Sequence, residues 1–483
     1  MTLRALLALL PDATSPASAS VLRRVVRGFS TDSRAVEKGQ VFVALRGEHF
    51  DGHAFVDAAA ARGAVAAIVS RAWGEVARTS LPLVIVEDTL AAYGAIARAH
   101  RASFEIPVVA VGGSNGKTTT KDLIAHLLGG SQTVLATEGN LNNLIGVPAT
   151  LLRLRPEHTV AVVEIGTNTP GEIAQLCTIV QPTHGIITSI GREHLELLGS
   201  IEGVAREEGA LFEWLAGHKG RGFVNLDDRH VARLGKDLKR STTYGRGEKA
   251  QVRVKIVSTD RFGAPCIALT TRMGRGTATV TTQLAMPGRH AAGNAAAAAS
   301  VALTLGVPLA EVGARLGTFR PAVSGSGYAR LAPMTGAVGE AILNDTYNAN
   351  PDSVIAALKT LGSIRPGRGG RRIAVLGDML ELGRGAAEEH RAIGREIVAG
   401  GRVHIALFHG PLMRHAHHVV YNSARRGETA TRSFHFAERE GMIEAVLALA
   451  APEDVILVKG SRGMRMELAV TALCDPTARQ EIG

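Results

Sequence analysis

Val108-Val109-Ala110-Val111-Gly112-Gly113-Ser114-Asn115-Gly116-Lys117-Thr118-Thr119-Thr120 decides the fold. A short apolar, β-branched run opened by Pro107 stops at two glycines and passes through Lys-Thr into a helical pattern. That is the setting a phosphate-binding loop requires. Glycines let backbone N–H groups converge on phosphate oxygens, the helix start adds positive potential, and Lys117 reaches terminal phosphates. Thr118 offers a hydroxyl to Mg²⁺. The loop is one residue shorter than the general G-x-x-x-x-G-K-[ST] pattern, because Val111 stands at its first glycine.

Working outward, strand-like runs at Thr159 to Ile165 and Gly185 to Ile190 alternate with helix-length spacers, which predicts a mostly parallel sheet covered on both faces. Between Gly222 and Pro287 the texture becomes alternating, as in Gln251 to Val257 and Thr277 to Leu284, and predicts an antiparallel insertion or edge. Before the loop, Val41 to Leu45, Ala64 to Val69 and Leu83 to Val86 lie between Ala-rich helical stretches and read as a small α/β domain. Beyond Pro321, runs at Ile373 to Leu376, His404 to Phe408 and Val455 to Val458 read as an open α/β unit, with Ser324 to Gly327 as a hinge. The expectation is an α/β chain of three domains, 1–104, 105–320 and 321–483. That division suits 483 residues, since one core serves about 100–200.

The net charge of +10 suits an anionic substrate. The basic residues form no compact stripe and aromatics are only 4% of the chain, which argues against nucleic acid as partner. Three widely spaced cysteines provide neither a disulfide framework nor a metal knuckle, and fit a cytoplasmic protein. The apolar patch at Leu6 to Leu10 is cut short by Pro11 and Asp12, so it reads as a first helix and not a membrane span. A monomer is expected.

The shortened loop resembles that of the Mur ligases, and further segments point the same way. Ser30-Thr31-Asp32-Ser33-Arg34, Phe42 to Gly47 and Phe50-Asp51-Gly52-His53 are similar to the family's uridine-nucleotide domain. Thr137-Glu138-Gly139-Asn140-Leu141-Asn142-Asn143, running into Ile145-Gly146-Val147-Pro148, and Asp345-Thr346-Tyr347-Asn348-Ala349-Asn350-Pro351-Asp352-Ser353 resemble the branch that adds D-alanyl-D-alanine. Gly377-Asp378-Met379 with Glu381-Leu382-Gly383 completes the likeness.

The resemblance implies a three-domain ligase. It would use ATP and two Mg²⁺ ions to join D-alanyl-D-alanine to UDP-N-acetylmuramoyl-tripeptide through an acyl phosphate. It implies ATP contacts at Gly113, Ser114, Asn115, Gly116, Lys117, Thr118, Thr119, Asn294, Arg330 and Asp345. Glu164 and His194 are implied as metal ligands beside Thr118. Substrate contacts are implied at Ser33, Arg34, Gly47, Asp51, Gly52, His53, Asn140, Asn142, Asn143, Tyr347, Asn348, Asn350, Lys459, Ser461 and Arg462. Lys117, His194 and Arg330 would be catalytic.

Two positions depart from the pattern. Ala291 stands where the family has Asn after the His of Pro287-Gly288-Arg289-His290. Glu208 stands where it has a carbamylated Lys. Glu208 is read either as a built-in carboxylate serving the second metal and catalysis, or as an exposed helix carboxylate with that metal weakened. A relative adding another amine and a silent paralogue stay open. The Asn-Pro turn also reads as a helix cap made by Asp352 or Ser353.

Overall fold

The computed structural model describes residues 1–47, 50–272, 276–321 and 329–478; the hinge expected at Ser324 to Gly327 lies outside them. Valine- and isoleucine-rich runs become strands of three sheets. The first holds β1 (Gly28–Ser30), β2 (Gln40–Val43), β3 (Ala66–Ser70) and β4 (Leu83–Val86), in that order and all parallel. The second holds β5 (Val108–Gly112), β6 (Val134–Ala136), β7 (Val160–Glu164), β8 (His184–Ile187), β9 (Arg221–Asn225), β10 (Ser241–Gly245), β11 (Val252–Thr259), β12 (Pro265–Thr271) and β13 (Ala278–Gln283). Its order is β13-β12-β11-β10-β9-β8-β5-β7-β6. The third holds β14 (Ala332–Thr335), β15 (Ala341–Asp345), β16 (Arg372–Gly377), β17 (Ile405–His409), β18 (Arg432–Phe436) and β19 (Val455–Lys459), ordered β14-β15-β19-β16-β17-β18.

The antiparallel region is smaller than the alternating texture predicts. β9, β10 and β11 are parallel, and antiparallel pairing starts only between β11 and β12. The alternating runs Gln251 to Val257 and Thr277 to Leu284 fall on β11 and β13, which flank β12 as the antiparallel edge of this sheet and are only partly buried.

By compactness the chain forms two units. One comprises Met1–Ala110, Gln132–Thr167 and Gly171–His184; the other comprises Val111–Ser131, Asn168–Pro170 and Gly185–Gly483. In the first unit, the four-stranded sheet is buried on both faces. Leu3, Leu6, Tyr93 and Ile96 pack on one side, and Val56, Ala59 and Leu81 on the other. The apolar N-terminal patch is a helix, Leu3–Leu9, capped by the Thr2 side chain. In the second unit, the six-stranded sheet likewise separates two apolar layers, one with Val354, Leu361 and Ile393 and the other with Met442, Met466 and Leu473. Among the described residues no helix is long and apolar enough to cross a membrane.

Candidate active site

The phosphate loop belongs to the second unit. Buried β5 ends at Gly112, whose carbonyl accepts from Thr188 N (3.0 Å) and Thr188 Oγ1 (3.1 Å). Gly113 (φ +109°) and Gly116 (φ +85°) take the left-handed turns that follow. A Cβ on Gly113 would stand 2.7 Å from Thr188 N, a backbone atom, so only glycine fits. A Cβ on Gly116 would meet Asn294 Oδ1 at 2.7 Å, which places Asn294 against the loop. The helix Lys117–Leu128 then begins.

Three loop N–H groups are committed within the protein. Gly113 N donates to Glu208 Oε2 (2.7 Å), Ser114 N to Ser189 O (2.7 Å) and Asn115 N to Ser189 Oγ (3.3 Å). Anion-binding capacity therefore sits further along, at Thr118 and Thr119, whose first-turn N–H groups have no carbonyl one turn behind them in the helix. Thr118 is buried and Thr119 half-buried.

Behind the loop lie two carboxylates. Glu208, on the helix Ile201–Gly217, is 0% exposed, so the reading of it as an exposed helix carboxylate is wrong: the helix turns that face inward. Glu193 is also buried, and its Oε2 lies 3.4 Å from Lys117 Nζ. Glu208 Oε1 and Glu193 Oε1 are buried without a hydrogen-bond partner. Burial pushes the Glu208 carboxyl up to about 7; Glu193 and Glu207 add to the rise, while Lys117 and the Gly113 N–H oppose it. Glu193 was not among the residues that the sequence marked as candidates. Its only signal there was a carboxylate directly before His194.

His194 follows in a left-handed conformation (φ +48°), and its Nδ1 lies 2.9 Å from Glu381 Oε2. That contact holds the Glu381 carboxyl below its ordinary value. Arg192 is clamped by Asp352, which accepts from Arg192 N (2.8 Å), Nε (3.1 Å) and Nη2 (2.6 Å), and by Glu389, which accepts from Nη1 (2.8 Å). Asp352 therefore does not cap its helix. The cap is Asn350, whose Oδ1 accepts from Ser353 N (2.8 Å) while its own N–H donates to Ser353 Oγ (3.0 Å), with Pro351 in the first turn. Such a cap contributes about 1 kcal/mol. Asn350 Nδ2 also donates to Asn115 Oδ1 (3.0 Å).

At the carboxyl ends of β15 and β19, Lys459 Nζ lies 2.8 Å from Asp345 Oδ2 and donates to Asn348 O (2.8 Å). Asp345 Oδ1 accepts from Leu331 N (3.1 Å). Ser461 Oγ donates to Ala349 O (3.2 Å) and accepts from Leu380 N (2.9 Å). The Arg330 guanidinium lies 3.5 Å from the centre of the Tyr347 ring and that of Arg462 5.5 Å. Arg330 Nη2 is buried without a partner. Burial lowers the pKa of His290, with Asp345 opposing. Ala291 is buried.

In the first unit, Glu164 ends β7 and is 1% exposed. Its Oε1 accepts from Asn142 Nδ2 (2.8 Å) and its Oε2 is buried without a partner. Asn143 Oδ1 accepts from Ile145 N and Gly146 N, and Asn140 is exposed. Within the four-stranded domain, Ser33 is half-buried and Arg34 exposed, the latter bonded to Asp32. Gly47 N donates to Phe50 O (2.9 Å). Gly52 is packed so closely that a Cβ would stand 2.6 Å from Leu45 O.

His53, expected as a substrate contact, is held within the protein. Its Nε2 accepts from Ser70 N (2.9 Å), so Nδ1 carries the proton and donates to Asp51 Oδ1 (2.5 Å). Both ring nitrogens are used and the side chain is buried.

Comparison with known proteins agrees with this geometry. Residues 25–101 match the Mur ligase family catalytic domain, 111–302 the Mur ligase middle domain, and 329–462 the Mur ligase glutamate ligase domain. The UDP-N-acetylmuramoyl-tripeptide--D-alanyl-D-alanine ligase of Escherichia coli is 36% identical, over 92% of this chain and 93% of its own length. That of Bacillus subtilis is 33% identical, over 93% and 94%. A crystal structure of MurF from Acinetobacter baumannii superposes with a TM-score of 0.81 at 29% identity, covering 96% of this chain and 99% of that one. With three domain matches in order and relatives aligned over nearly their whole length, this chain belongs to the Mur ligase family.

Proposed function

We propose that the protein is an ATP-dependent ligase that joins D-alanyl-D-alanine to UDP-N-acetylmuramoyl-tripeptide, giving the pentapeptide precursor, ADP and phosphate. The observation that supports this best is the group behind the phosphate loop: Lys117 with Glu193 and Glu208, two buried carboxylates each keeping one oxygen without a proton donor. Each such oxygen costs about 1–3 kcal/mol if nothing compensates it. A divalent cation carried by the phosphate chain would offset that cost.

The donor set fits magnesium. No three His, Cys, Asp or Glu side chains among the described residues gather closely enough to hold a metal alone. Mg²⁺ is ordinarily held by one or two carboxylates, with phosphate oxygens and water completing its shell. In the second unit Thr118, His194 and Glu208 are the candidates, and Glu193 joins them. In the first unit Glu164 presents the same feature, an unpartnered buried carboxylate oxygen. Two ions are proposed; when bound they neutralise charge as the γ-phosphoryl group transfers.

The remaining roles belong to the chain. Making an amide from a carboxylate in water is uphill, so the tripeptide carboxylate is first phosphorylated, which brings two anions together. Lys117 and Arg330 offset that repulsion, Arg330 held over the Tyr347 ring. The N–H groups of Thr118 and Thr119 receive phosphate oxygens, Gly113 to Gly116 shape the turn, and Asn294 and Asp345 are assigned to adenine and ribose. The dipeptide amine then attacks the acyl phosphate and phosphate leaves. Tyr347, Asn348, Asn350, Lys459, Ser461 and Arg462 are assigned to the dipeptide. Asn140, Asn142 and Asn143 are assigned to the tripeptide end, and Ser33, Arg34, Gly47, Asp51 and Gly52 to the uridine nucleotide. Segments 1–104, 105–320 and 321–483 would divide the three substrates in that sense, with the enzyme acting as a cytoplasmic monomer.

Release of ADP measured with the tripeptide precursor, in arms with and without D-alanyl-D-alanine, tests this. Sustained release only in the complete arm is expected. Equal release with other amines, or none with D-alanyl-D-alanine, overturns the assignment.

A further inference from the structure

Glu381 lies in the loop after β16, far in sequence from His194, yet its Oε2 is 2.9 Å from His194 Nδ1. Both residues have left-handed backbone, φ +48° at His194 and +63° at Glu381. A non-glycine residue in that conformation costs about 1–3 kcal/mol and persists only where its surroundings enforce it.

The surroundings do enforce it. On the Glu381 side, Asp378 carboxylate oxygens accept from Leu412 N and Met413 N, Met379 N donates to His390 Nε2 (3.0 Å), and Leu380 N donates to Ser461 Oγ. Gly383, also left-handed (φ +58°), lies so near Glu196 that a Cβ would be 3.1 Å from its Cα. On the His194 side, the Asp352 and Glu389 grip on Arg192 fixes the preceding backbone. Six-stranded-sheet residues thus hold both ends of the contact. The Glu381 side chain is 64% exposed, so as a plain surface ion pair it would contribute about 0–1 kcal/mol, too little to offset two strained residues. Strain concentrates where geometry serves function.

We infer that Glu381 is the positioning residue for His194: its carboxylate accepts the Nδ1 proton, fixes the ring's tautomer and direction, and leaves the Nε2 lone pair for a divalent cation. A carboxylate behind a metal-binding imidazole orients it and raises its basicity. Because that carboxylate comes from the loop after β16, the nine-stranded sheet's metal ligand is completed by a residue of the six-stranded sheet. The inference rests on the reading of His194 as a metal ligand.

The test is Mn²⁺ binding to the full chain with saturating ADP, measured by calorimetry without turnover, for the parent, Glu381→Ala, Glu381→Gln, His194→Ala and the double alanine variant. Glu381→Ala is expected to weaken Mn²⁺ by about 10–100-fold. Glu381→Gln, whose amide oxygen still accepts from Nδ1–H, should recover much of that loss, and the double variant should bind no worse than His194→Ala. If Glu381→Ala and Glu381→Gln both bind like the parent while His194→Ala is weakened, the positioning role is wrong. If His194→Ala itself binds like the parent, His194 is no ligand and the inference falls with that reading.

Discussion

The second unit contains two polar clusters built on opposite terms. At the ends of β15 and β19, Lys459 faces Asp345 and the Asn348 carbonyl, Asp345 takes the Leu331 N–H, and Ser461 both donates and accepts. Behind the phosphate loop, Glu193 and Glu208 each keep a buried oxygen unmatched beside a single lysine. A satisfied network fixes a shape, whereas an unsatisfied one retains binding energy for a charged ligand. Substitutions in the first should therefore be felt in folding as well as in substrate binding, and substitutions in the second in turnover with little cost to folding.

The largest effect is expected at Lys117. Lys117→Ala removes the charge proposed to meet the phosphates, and ADP release should fall by at least about 10²–10³-fold. The urea midpoint should move far less than that in free-energy terms. A variant that turns over within tenfold of the parent would break the comparison at its strongest point.

Lys459→Met is the counterpart in the satisfied cluster. It strands Asp345, whose side chain is 14% exposed, opposite an apolar group. Unfolding free energy should drop by about 3 kcal/mol, measured by urea denaturation, because a broken buried pair leaves an uncompensated charge. Activity should fall too, since Lys459 is assigned to the dipeptide, so an unchanged unfolding free energy is the outcome that would put Lys459 in the same class as Lys117.

Glu208 sharpens the contrast, because two substitutions separate its two oxygens. Glu208→Gln still accepts the Gly113 N–H but loses its charge, and should raise the Mg²⁺ concentration for half-maximal rate by about tenfold or more with little change in stability. Glu208→Ala should also lose about 1–3 kcal/mol of stability by orphaning that N–H. Parent activity should not respond to added bicarbonate, since the carboxylate here is the residue's own. Equal Mg²⁺ dependence in parent and Gln variant would show that Glu208 supports the loop alone.

How far these clusters could be read from sequence follows from the range of the contacts. β4 and β16 were legible because fully buried parallel strands are near-continuous apolar runs. β11 and β13 were legible as an antiparallel edge because their partial burial leaves an alternating pattern, whereas β9 and β10, inside the same stretch, pair in parallel. Short strands such as β1 and β6 offered too few residues for any period. At the site, the turn at Gly113 and the helix start at Lys117 were legible from local chemistry, whereas the capping role of Asn350 was not. The cap was misplaced on Asp352 because that carboxylate is drawn to Arg192, a partner no local rule supplies. Glu193 and Glu381 received no roles from sequence, since their contacts are with distant residues, Lys117 and His194. The internal partners of His53, Ser70 and Asp51, were not legible, because a satisfied core histidine and a ligand-binding one look alike in sequence.

The smallest effect concerns the loop that presents Glu381. His390 is 0% exposed, and its Nε2 accepts the Met379 N–H, which requires that nitrogen to be unprotonated. Burial lowers its pKa from the ordinary 6.5. The folded state thus binds fewer protons than the unfolded chain as pH falls below 6.5, so stability falls with it until the folded pKa is reached and is level above 6.5. Other buried histidines add to the parent's slope, so the informative quantity is the difference from His390→Gln, compared by urea denaturation at pH 5 and 7.5. The Gln variant should lose about 1 kcal/mol at pH 7.5 and less at pH 5, where the parent has already lost part of the same contact. A difference independent of pH would mean that His390 supports this loop by shape alone, and that acid weakens the enzyme elsewhere.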